Sequence, residues 1–283
     1  MSGWGRAYPA PAKLNLFLHV VGRRADGYHL LQTAFRLIDC CDRLRYTPRA
    51  DALVRLATPL AGVDEDAELS VRAARLLLAE SGSREGVDIA IEKHIPLGGG
   101  LGGGSSDAAT TLLVLSRLWR LSLSREDLAR MALRLGADVP FFLFGENAFA
   151  EGIGERLSPL ALGPAWYLVL VPPVAVSTSA IFAAPELTRN SETIKISGFS
   201  AGFGRNDLEP VVCGRHREVA AHLAWLKQRF RDARLTGSGA CVFAEFGTER
   251  EARKILSGVP PGMRGFVAQG LDRHPLMALL EDG

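Results

Sequence analysis

The sequence predicts two domains in which strands and helices are mixed, of the α/β or α+β class. Strand-like and helix-like segments interleave in both halves, a tract of six glycines joins a strand pattern to a helix pattern, and the texture changes after Gly152-Ile153-Gly154. A chain of 283 residues exceeds one minimal core and suits one large domain or two medium ones. The join is expected between residues 152 and 165, giving units 1–155 and 156–283.

Lys13 to Val21 reads as a strand with Leu14, Leu16, Leu18 and Val20 on one face. Lys13, Asn15, Phe17 and His19 take the other face, because strand side chains alternate. Two polar groups, Lys13 and Asn15, thus project side by side just after a rigid Pro9-Ala10-Pro11 lead-in. Asp26-Gly27 marks a turn into a second extended segment. Leu69, Ala73, Leu76 and Leu77 have helical spacing, and Val87 to Glu92 alternates as a strand. Ser105 to Leu118 reads as a helix, as does Ser124 to Leu135, opened by Ser124-x-x-Asp127 and closed by Gly136.

Trp166 to Val171 is a continuous apolar strand stopped by Pro172-Pro173. Pro185 to Phe203 is polar and aperiodic, a long loop. Arg217 to Phe230 is helical, and Leu235 to Phe246 is strand-like in two parts around Gly237-Ser238-Gly239. Thr248-x-x-Glu251 caps a further helix, and Phe266 to Ala268 ends the pattern as a short strand.

Lys and Arg total 33 against 31 acidic residues, a net charge of +2 that argues against a nucleic-acid-coating protein while allowing a small positive cleft for an anion. Cys40, Cys41, Cys213 and Cys241 form no C-x-x-C pair, which points to reduced thiols rather than a zinc site or a disulfide framework. The start, Met1-Ser2-Gly3-Trp4-Gly5-Arg6, lacks an apolar signal core, and no uncharged run reaches membrane-spanning length. A cytoplasmic location is expected, with no membrane, nucleic-acid or obligate protein partner.

The chemistry concentrates in the glycine tract. Six of the seven residues from Gly98 to Gly104 are glycine, interrupted by Leu101. Each glycine costs about 0.5–1 kcal/mol against alanine in ordered structure, so the tract forfeits several kcal/mol that something must offset. A flexible linker is the alternative reading, though linkers rarely sit between a strand and an immediately following helix. A loop whose bare N–H groups wrap phosphate oxygens, completed by the helix N-terminus near Ser105, fits that placement. The tract ends Gly-Ser-Ser rather than Gly-Lys-Ser/Thr, so it is no Walker A loop. Gly98-x-Gly100-x-x-Gly103 matches a dinucleotide fingerprint formally, but no strand-ending acid follows about twenty residues on. Asp138, in Gly136-Ala137-Asp138-Val139-Pro140, reads either as a turn or capping aspartate or as a base held in a rigid turn. Lys13 reads either as a solvated strand residue or as part of a site. Leu235-Thr236-Gly237-Ser238-Gly239-Ala240-Cys241 is either a bulged hairpin or a backbone surface approaching a ligand.

Three of these segments, Pro11 to Leu16, Pro96 to Ser106 and Leu235 to Cys241, resemble in order and spacing the three motifs of the GHMP kinases. The likeness extends over essentially the whole chain. Gly22 to His29, Gly136 to Pro140 and Phe149-Ala150-Glu151-Gly152 resemble, more narrowly, the branch of that superfamily that phosphorylates a cytidylylated methylerythritol for non-mevalonate isoprenoid synthesis. The resemblance implies an α+β, two-domain GHMP kinase fold: an N-terminal domain like domain 2 of ribosomal protein S5, a ferredoxin-like C-terminal domain, and the site between them. It implies ATP as co-substrate, held by Pro96, Leu97, Gly98, Gly99, Gly100, Leu101, Gly102, Gly103, Gly104, Ser105 and Ser106. It implies Lys13 and Asp138 as the catalytic pair, and Asn15, Tyr28, His29, Thr178 and Phe182 facing the cytidine diphosphate and the erythritol. The branch often has Asn where this chain has Glu68, near the adenine, so no adenine contact is assigned to Glu68.

The implied reaction moves the γ-phosphoryl group of ATP to an alcohol, with Asp138 accepting the proton late, because the transition state is loose. Lys13 would orient Asp138 and offset charge building between donor and acceptor. Mg²⁺ is expected to ride on the nucleotide phosphates with water and Ser105 or Ser106, since no carboxylate cluster in the sequence marks a protein-built cage. The rivals are another GHMP small-molecule kinase, a nicotinamide-dependent oxidoreductase, which lacks its strand-ending acid, and an S5-like RNA-binding module, which lacks a basic surface.

Overall fold

The structure is a computed structural model and describes residues 3–60, 62–199 and 203–281. Its frame is a ten-stranded sheet built around one long strand, β2 (His29–Arg49), which follows β1 (Tyr8–Arg23) across the turn at Asp26-Gly27. Gly27 sits at φ 92°, and the Asp26 carboxylate accepts from the Tyr28 N–H at 3.2 Å, a local side-chain turn. β1 lies antiparallel along one edge of β2, from Tyr8↔Leu44 to Arg23↔His29. The other edge of β2 is shared by three partners. These are β5 (Ala148–Glu151) at residues 33–35, β10 (Arg264–Leu271) at Leu37 and Ile38, and β4 (Gly86–Glu92) at residues 43–49.

β3 (Val54–Leu56) runs parallel to β4, connected through α1 (Leu69–Ser81). α2 (Gly103–Leu118), α3 (Arg125–Leu135) and α4 (Val139–Phe144) pack with α1 on this part of the sheet around Leu77, Leu112, Phe141 and Phe142. α3 opens on a reciprocal capping box between Ser124 and Asp127, as the spacing predicts. β6 (Arg156–Pro159) pairs with β5 alone, in a hairpin from Glu151↔Arg156 to Ala148↔Pro159 that spans residue 155. The second core gathers β7 (Trp166–Val171), α5 (Thr178–Phe182), α6 (Glu209–Arg215), α7 (Arg217–Lys227), β8 (Arg234–Leu235), β9 (Val242–Phe246) and α8 (Glu249–Leu256). A third cluster, in which Leu14, Phe17 and Ile38 meet Tyr167, Val169 and Phe243, joins the two. α9 (Pro275–Glu281) returns to the first core through Leu276.

Several elements differ from the reading of the sequence, each for a tertiary reason. Pro9 and Pro11 lie inside β1 rather than ahead of it. The ladder is irregular between Pro11 and Ala12, and a strand paired with β2 along a single edge tolerates missing N–H donors. A second irregularity between Asn15 and Phe17 breaks the simple alternation, placing Phe17 in the same cluster as Leu14 and Leu16. The glycine-loop helix begins at Gly103, two residues before Ser105, because the final glycines take helical geometry. The strand expected at Phe266–Ala268 spans Arg264–Leu271, and the helix expected to reach Phe230 ends at Lys227. β3, the β5–β6 hairpin, α5, α6 and α9 are too short for periodicity to reveal. The Pro185–Phe203 loop carries one 3₁₀ turn at Ile196–Gly198, and residues 200–202 of it lie outside the described residues, as do Met1 and Ser2 of the N-terminal reading. No helix of the described residues is long and apolar enough to cross a membrane.

Candidate active site

A cavity of about 830 Å³ opens where β1, the glycine tract, the Gly237–Gly239 turn and α5 meet. In the glycine tract, φ is 65° at Gly98, 74° at Gly100 and 74° at Gly102, with the residues between them outside the left-handed region. Such alternation turns successive N–H groups toward one side, forming a concave anion-binding nest. It continues into the N-terminus of α2, whose cap Gly102 has no side-chain bond and whose first turn carries no acid. Neither a cap side chain nor an acid of the first turn therefore occupies the positive end of this sixteen-residue helix.

The nest is held from below by the Leu235–Cys241 segment. Ala240 and Cys241 N–H groups donate to the carbonyls of Gly98 and Gly99, each at 3.1 Å. A Cβ on Gly100 would stand 2.3 Å from the Thr236 carbonyl oxygen, so the two glycine turns touch backbone to backbone. The bulged-hairpin and ligand-surface readings of this segment thus meet in one object, a turn whose backbone supports the nest and whose Gly237, Ser238 and Gly239 line the cavity.

Lys13 and Asn15 project together, as their i, i+2 spacing requires. Lys13 Nζ donates to Asn15 Oδ1 at 2.5 Å and stands 3.4 Å from Asp138 Oδ2. Its side chain is 3% exposed and that of Asp138 36%, so a buried ammonium faces a carboxylate that reaches the cavity. The ammonium also lies 5.3 Å from the centre of the Phe35 ring. Asn15 is fixed in turn, its Nδ2 donating to Thr33 Oγ1 at 2.9 Å and its N–H to Thr236 Oγ1 at 3.0 Å. Asp138 precedes α4 without capping it by side chain. The capping reading of Asp138 and the solvated reading of Lys13 are therefore not the arrangement seen.

Tyr28 and Phe182 also line the cavity; Tyr28 is 60% exposed, and Phe182 is half-buried with its ring 5.0 Å from that of His29. Tyr28 is not a core residue, whereas Phe182 packs, partly buried, against the second core. Thr178 Oγ1 and Ser238 Oγ are 2.7 Å apart, linking α5 to the supporting turn. Burial, with the nearby Arg189 and Arg23 charges, lowers the pKa of His29 below the ordinary histidine value. Of the residues assigned to sites from the sequence, all but Ser106 line this one cavity. Ser106 is fully buried in the first turns of α2, its hydroxyl without a partner.

Two family descriptions match this chain: "GHMP kinases N terminal domain" over residues 68–146 and "GHMP kinases C terminal" over residues 186–261. The 4-diphosphocytidyl-2-C-methyl-D-erythritol kinase of Nitrosospira multiformis is 64% identical over 270 residues, covering 95% of this chain and 92% of that one. That of Thiobacillus denitrificans is 62% identical, covering 96% and 97%. The chain belongs to the GHMP kinases, among the 4-diphosphocytidyl-2-C-methyl-D-erythritol kinases. A crystal structure of 4-(cytidine 5'-diphospho)-2C-methyl-D-erythritol kinase superposes with a TM-score of 0.81 at 34% identity, covering 93% of this chain and 98% of that one.

In this GHMP kinase the cavity is also lined or braced by residues that sequence reading passed over. Thr33 and Phe35 lie on β2, where nothing in the pattern marks them, and Arg189 lies in the aperiodic loop. Lys93 lines the cavity from just before the glycine tract and is gripped by two acids, Asp42 and Asp107, the latter at 2.7 Å. Asp42 accepts further from the N–H groups of His94 and Ile95 at 2.6 and 2.8 Å. Burial pushes Asp107 up to about 8, with Lys93 opposing and the like charge of Asp42 adding to the rise. Glu68 caps α1 by accepting from the N–H groups of Ser70 and Val71, which is its role in this chain. Among the described residues no set of three or more His, Cys, Asp or Glu is grouped to hold a metal ion.

Gly100→Ala should destabilise the protein by about 1–3 kcal/mol in urea denaturation and weaken ATP binding, since it adds both left-handed strain and a backbone clash. Gly104→Ala is the control, because its Cβ would meet nothing nearer than Leu69 Cδ1 at 3.6 Å, and stability should be kept or raised. Equal effects of the two substitutions would remove the support from the nest.

With a folded pKa of about 8 against a usual 3.8, Asp107 keeps a proton that the unfolded chain has already lost. Stability then falls as pH rises between those values. Asp107→Asn cannot undergo that fall. Relative to the unsubstituted protein it should gain at least about 1 kcal/mol between pH 6 and pH 9, read from paired denaturant titrations. A variant that loses ground at pH 9 would mean a charged Asp107 paired with Lys93.

Proposed function

We propose that this chain transfers the γ-phosphoryl group of ATP to the 2-hydroxyl of 4-(cytidine 5'-diphospho)-2-C-methyl-D-erythritol, a step of non-mevalonate isoprenoid precursor synthesis. The observation that carries the reading is the Lys13–Asp138 pair at 3.4 Å, which lines the same cavity as the nest, Tyr28 and Phe182. High identity to kinases of that name supports the choice of substrate over other alcohols taken by GHMP kinases.

The nest and the N-terminus of α2 hold the triphosphate, with Pro96 to Ser105 around it. Phosphoryl transfer needs positioning and charge stabilisation more than a strong base. Asp138 lies on the cavity side of Lys13, placed to accept the alcohol proton as the new P–O bond forms. Lys13, immobilised by Asn15 and desolvated, keeps Asp138 in place and faces the charge that develops between donor and acceptor oxygens. Asn15 acts through Lys13 in this scheme as well as lining the substrate space.

Mg²⁺ fits the first turns of α2. Ser105 lines the cavity and its hydroxyl would meet an ion carried on the phosphates, whereas the Ser106 hydroxyl is buried away from the cavity. Such an ion neutralises phosphate charge when bound. The units 1–155 and 156–283 serve as the two walls of the cleft in this proposal, with a cytoplasmic location and small-molecule partners.

Labelled ATP offered with the cytidylyl substrate and a panel of other alcohols tests the assignment, and turnover confined to some other alcohol would overturn it. Asp138→Asn should lower turnover by roughly 10²–10⁴-fold with ATP affinity nearly unchanged. Retention of more than about a tenth of turnover would contradict the proton-acceptor role. Tyr28→Ala and Phe182→Ala should each weaken the cytidylyl substrate by about 1–3 kcal/mol while sparing ATP, as loss of stacking on a base does. If both variants bind the substrate normally, the aromatics do not stack on the base.

A further inference from the structure

We propose that Arg189 is a positioning residue for pyrimidine recognition: it holds His29 as the neutral Nδ1–H form and locks that ring against Phe182, so that the cavity is offered a hydrogen-bond donor. The proposal rests on the cytidylyl reading of the part of the cavity lined by Tyr28 and Phe182.

The geometry is a single guanidinium spanning three pieces of chain. Arg189 Nε donates to His29 Nε2 at 3.1 Å. Its Nη2 donates to the carbonyls of Phe182 at 3.1 Å and Ala184 at 2.6 Å, and its Nη1 to that of Leu187 at 3.0 Å. Three carbonyls at and beyond the end of α5 are thereby tied to a histidine at the start of β2, some 160 residues away in sequence. The same ties hold the His29 and Phe182 rings 5.0 Å apart at 32°.

The chemistry of the pair leaves little choice. A guanidinium has donors and no acceptor and stays protonated, so the histidine nitrogen it faces must present a lone pair. With Nε2 accepting, the neutral ring carries its proton on Nδ1. Protonating Nε2 would set two donors and two like charges against each other. The charges facing His29 are Arg189 from the loop after α5 and Arg23 from the end of β1, and both oppose the imidazolium. His29 lines the cavity, so its remaining polar atom is an N–H donor. Cytosine offers acceptors at O2 and N3 and a donor at its exocyclic amine. A donor-only histidine suits the first two and repels the third. That choice of partner sets the orientation of the base on its aromatic neighbours.

The unsubstituted protein supplies the first test. Nitrogen-correlated NMR of ¹⁵N-histidine protein should show His29 as the Nδ1–H tautomer near pH 7.5, titrating below the ordinary histidine range. A majority Nε2–H form overturns the proposal without any variant. Arg189→Met should release the tautomer and raise the midpoint of His29. It should also increase the KM for the cytidylyl substrate at least tenfold, with kcat and the KM for ATP within about twofold. Arg189→Lys keeps charge and one donor without the fork, so it should retain the fold and recover part of the KM loss. If Arg189→Met does not fold, Arg189→Lys carries the kinetic test, and a normal KM in a variant whose tautomer has changed overturns the proposal. Direct binding of cytidine 5'-diphosphate separates this from the underlying reading. If the unsubstituted protein does not bind that probe, the cytidylyl assignment fails whatever the tautomer. If it binds and Arg189→Met binds equally well, the positioning role fails alone.

Discussion

The free edge of one strand organises this molecule. β1 spends one edge on β2, and its other edge carries backbone groups that are buried and must be paired. They are paired piece by piece with the parts of the site. Lys13 N–H donates to the carbonyl of Leu101 in the glycine tract at 2.9 Å. Asn15 N–H reaches Thr236 of the supporting turn, and the carbonyl of Leu16 accepts from Arg234 Nη1 at 2.6 Å. Leu18 exchanges bonds with Arg205 and Asp207 of the second half, and Val20 N–H donates to the Asp207 carboxylate at 2.8 Å. Satisfying that edge therefore brings the phosphate nest, its support and the C-terminal core to Lys13.

The cost of the glycine tract becomes intelligible in that frame. Left-handed glycines at 98, 100 and 102 give up backbone freedom. The offset comes from bonds to Ala240, Cys241 and Lys13 that immobilise the tract from beneath while leaving its N–H face bare. The positive charges beside it are held on the same principle. Lys13 lies between Asn15 and Asp138, and Lys93 between Asp42 and Asp107, so neither ammonium is buried unpaired.

Two parts of the cavity are built differently. The nest is backbone geometry at the junction of a strand and a helix. The region around Tyr28 and Phe182 is side chains on a turn, a five-residue helix and a loop, stiffened by the Arg189 fork and the Thr178–Ser238 contact.

Much of this was legible in the residues. Period-two alternation put Lys13 and Asn15 side by side, and the glycine run between strand and helix pointed to a nest of N–H groups, the geometry its φ angles form. The motif resemblance named Asp138, Tyr28 and Phe182, which line the same cavity. Other features were silent. The proline-bearing start of β1, the bulge after Asn15, the three-way sharing of β2 and the hairpin across residue 155 depend on which edges meet. Ser106 faces inward because α2 starts two residues earlier than its composition suggests, turning that hydroxyl away from the cavity. By itself the sequence determined what is local: turn conformations, helix caps, alternation along a strand and the bareness of a glycine loop. The tertiary structure alone decided the long-range pairings that no motif announced, Lys93 with Asp42 and Asp107 and His29 with Arg189, and it set the 3.4 Å between Lys13 and Asp138. A buried charge or backbone group takes its partner from whatever the folded chain places within about 3 Å, and sequence separation does not encode that distance.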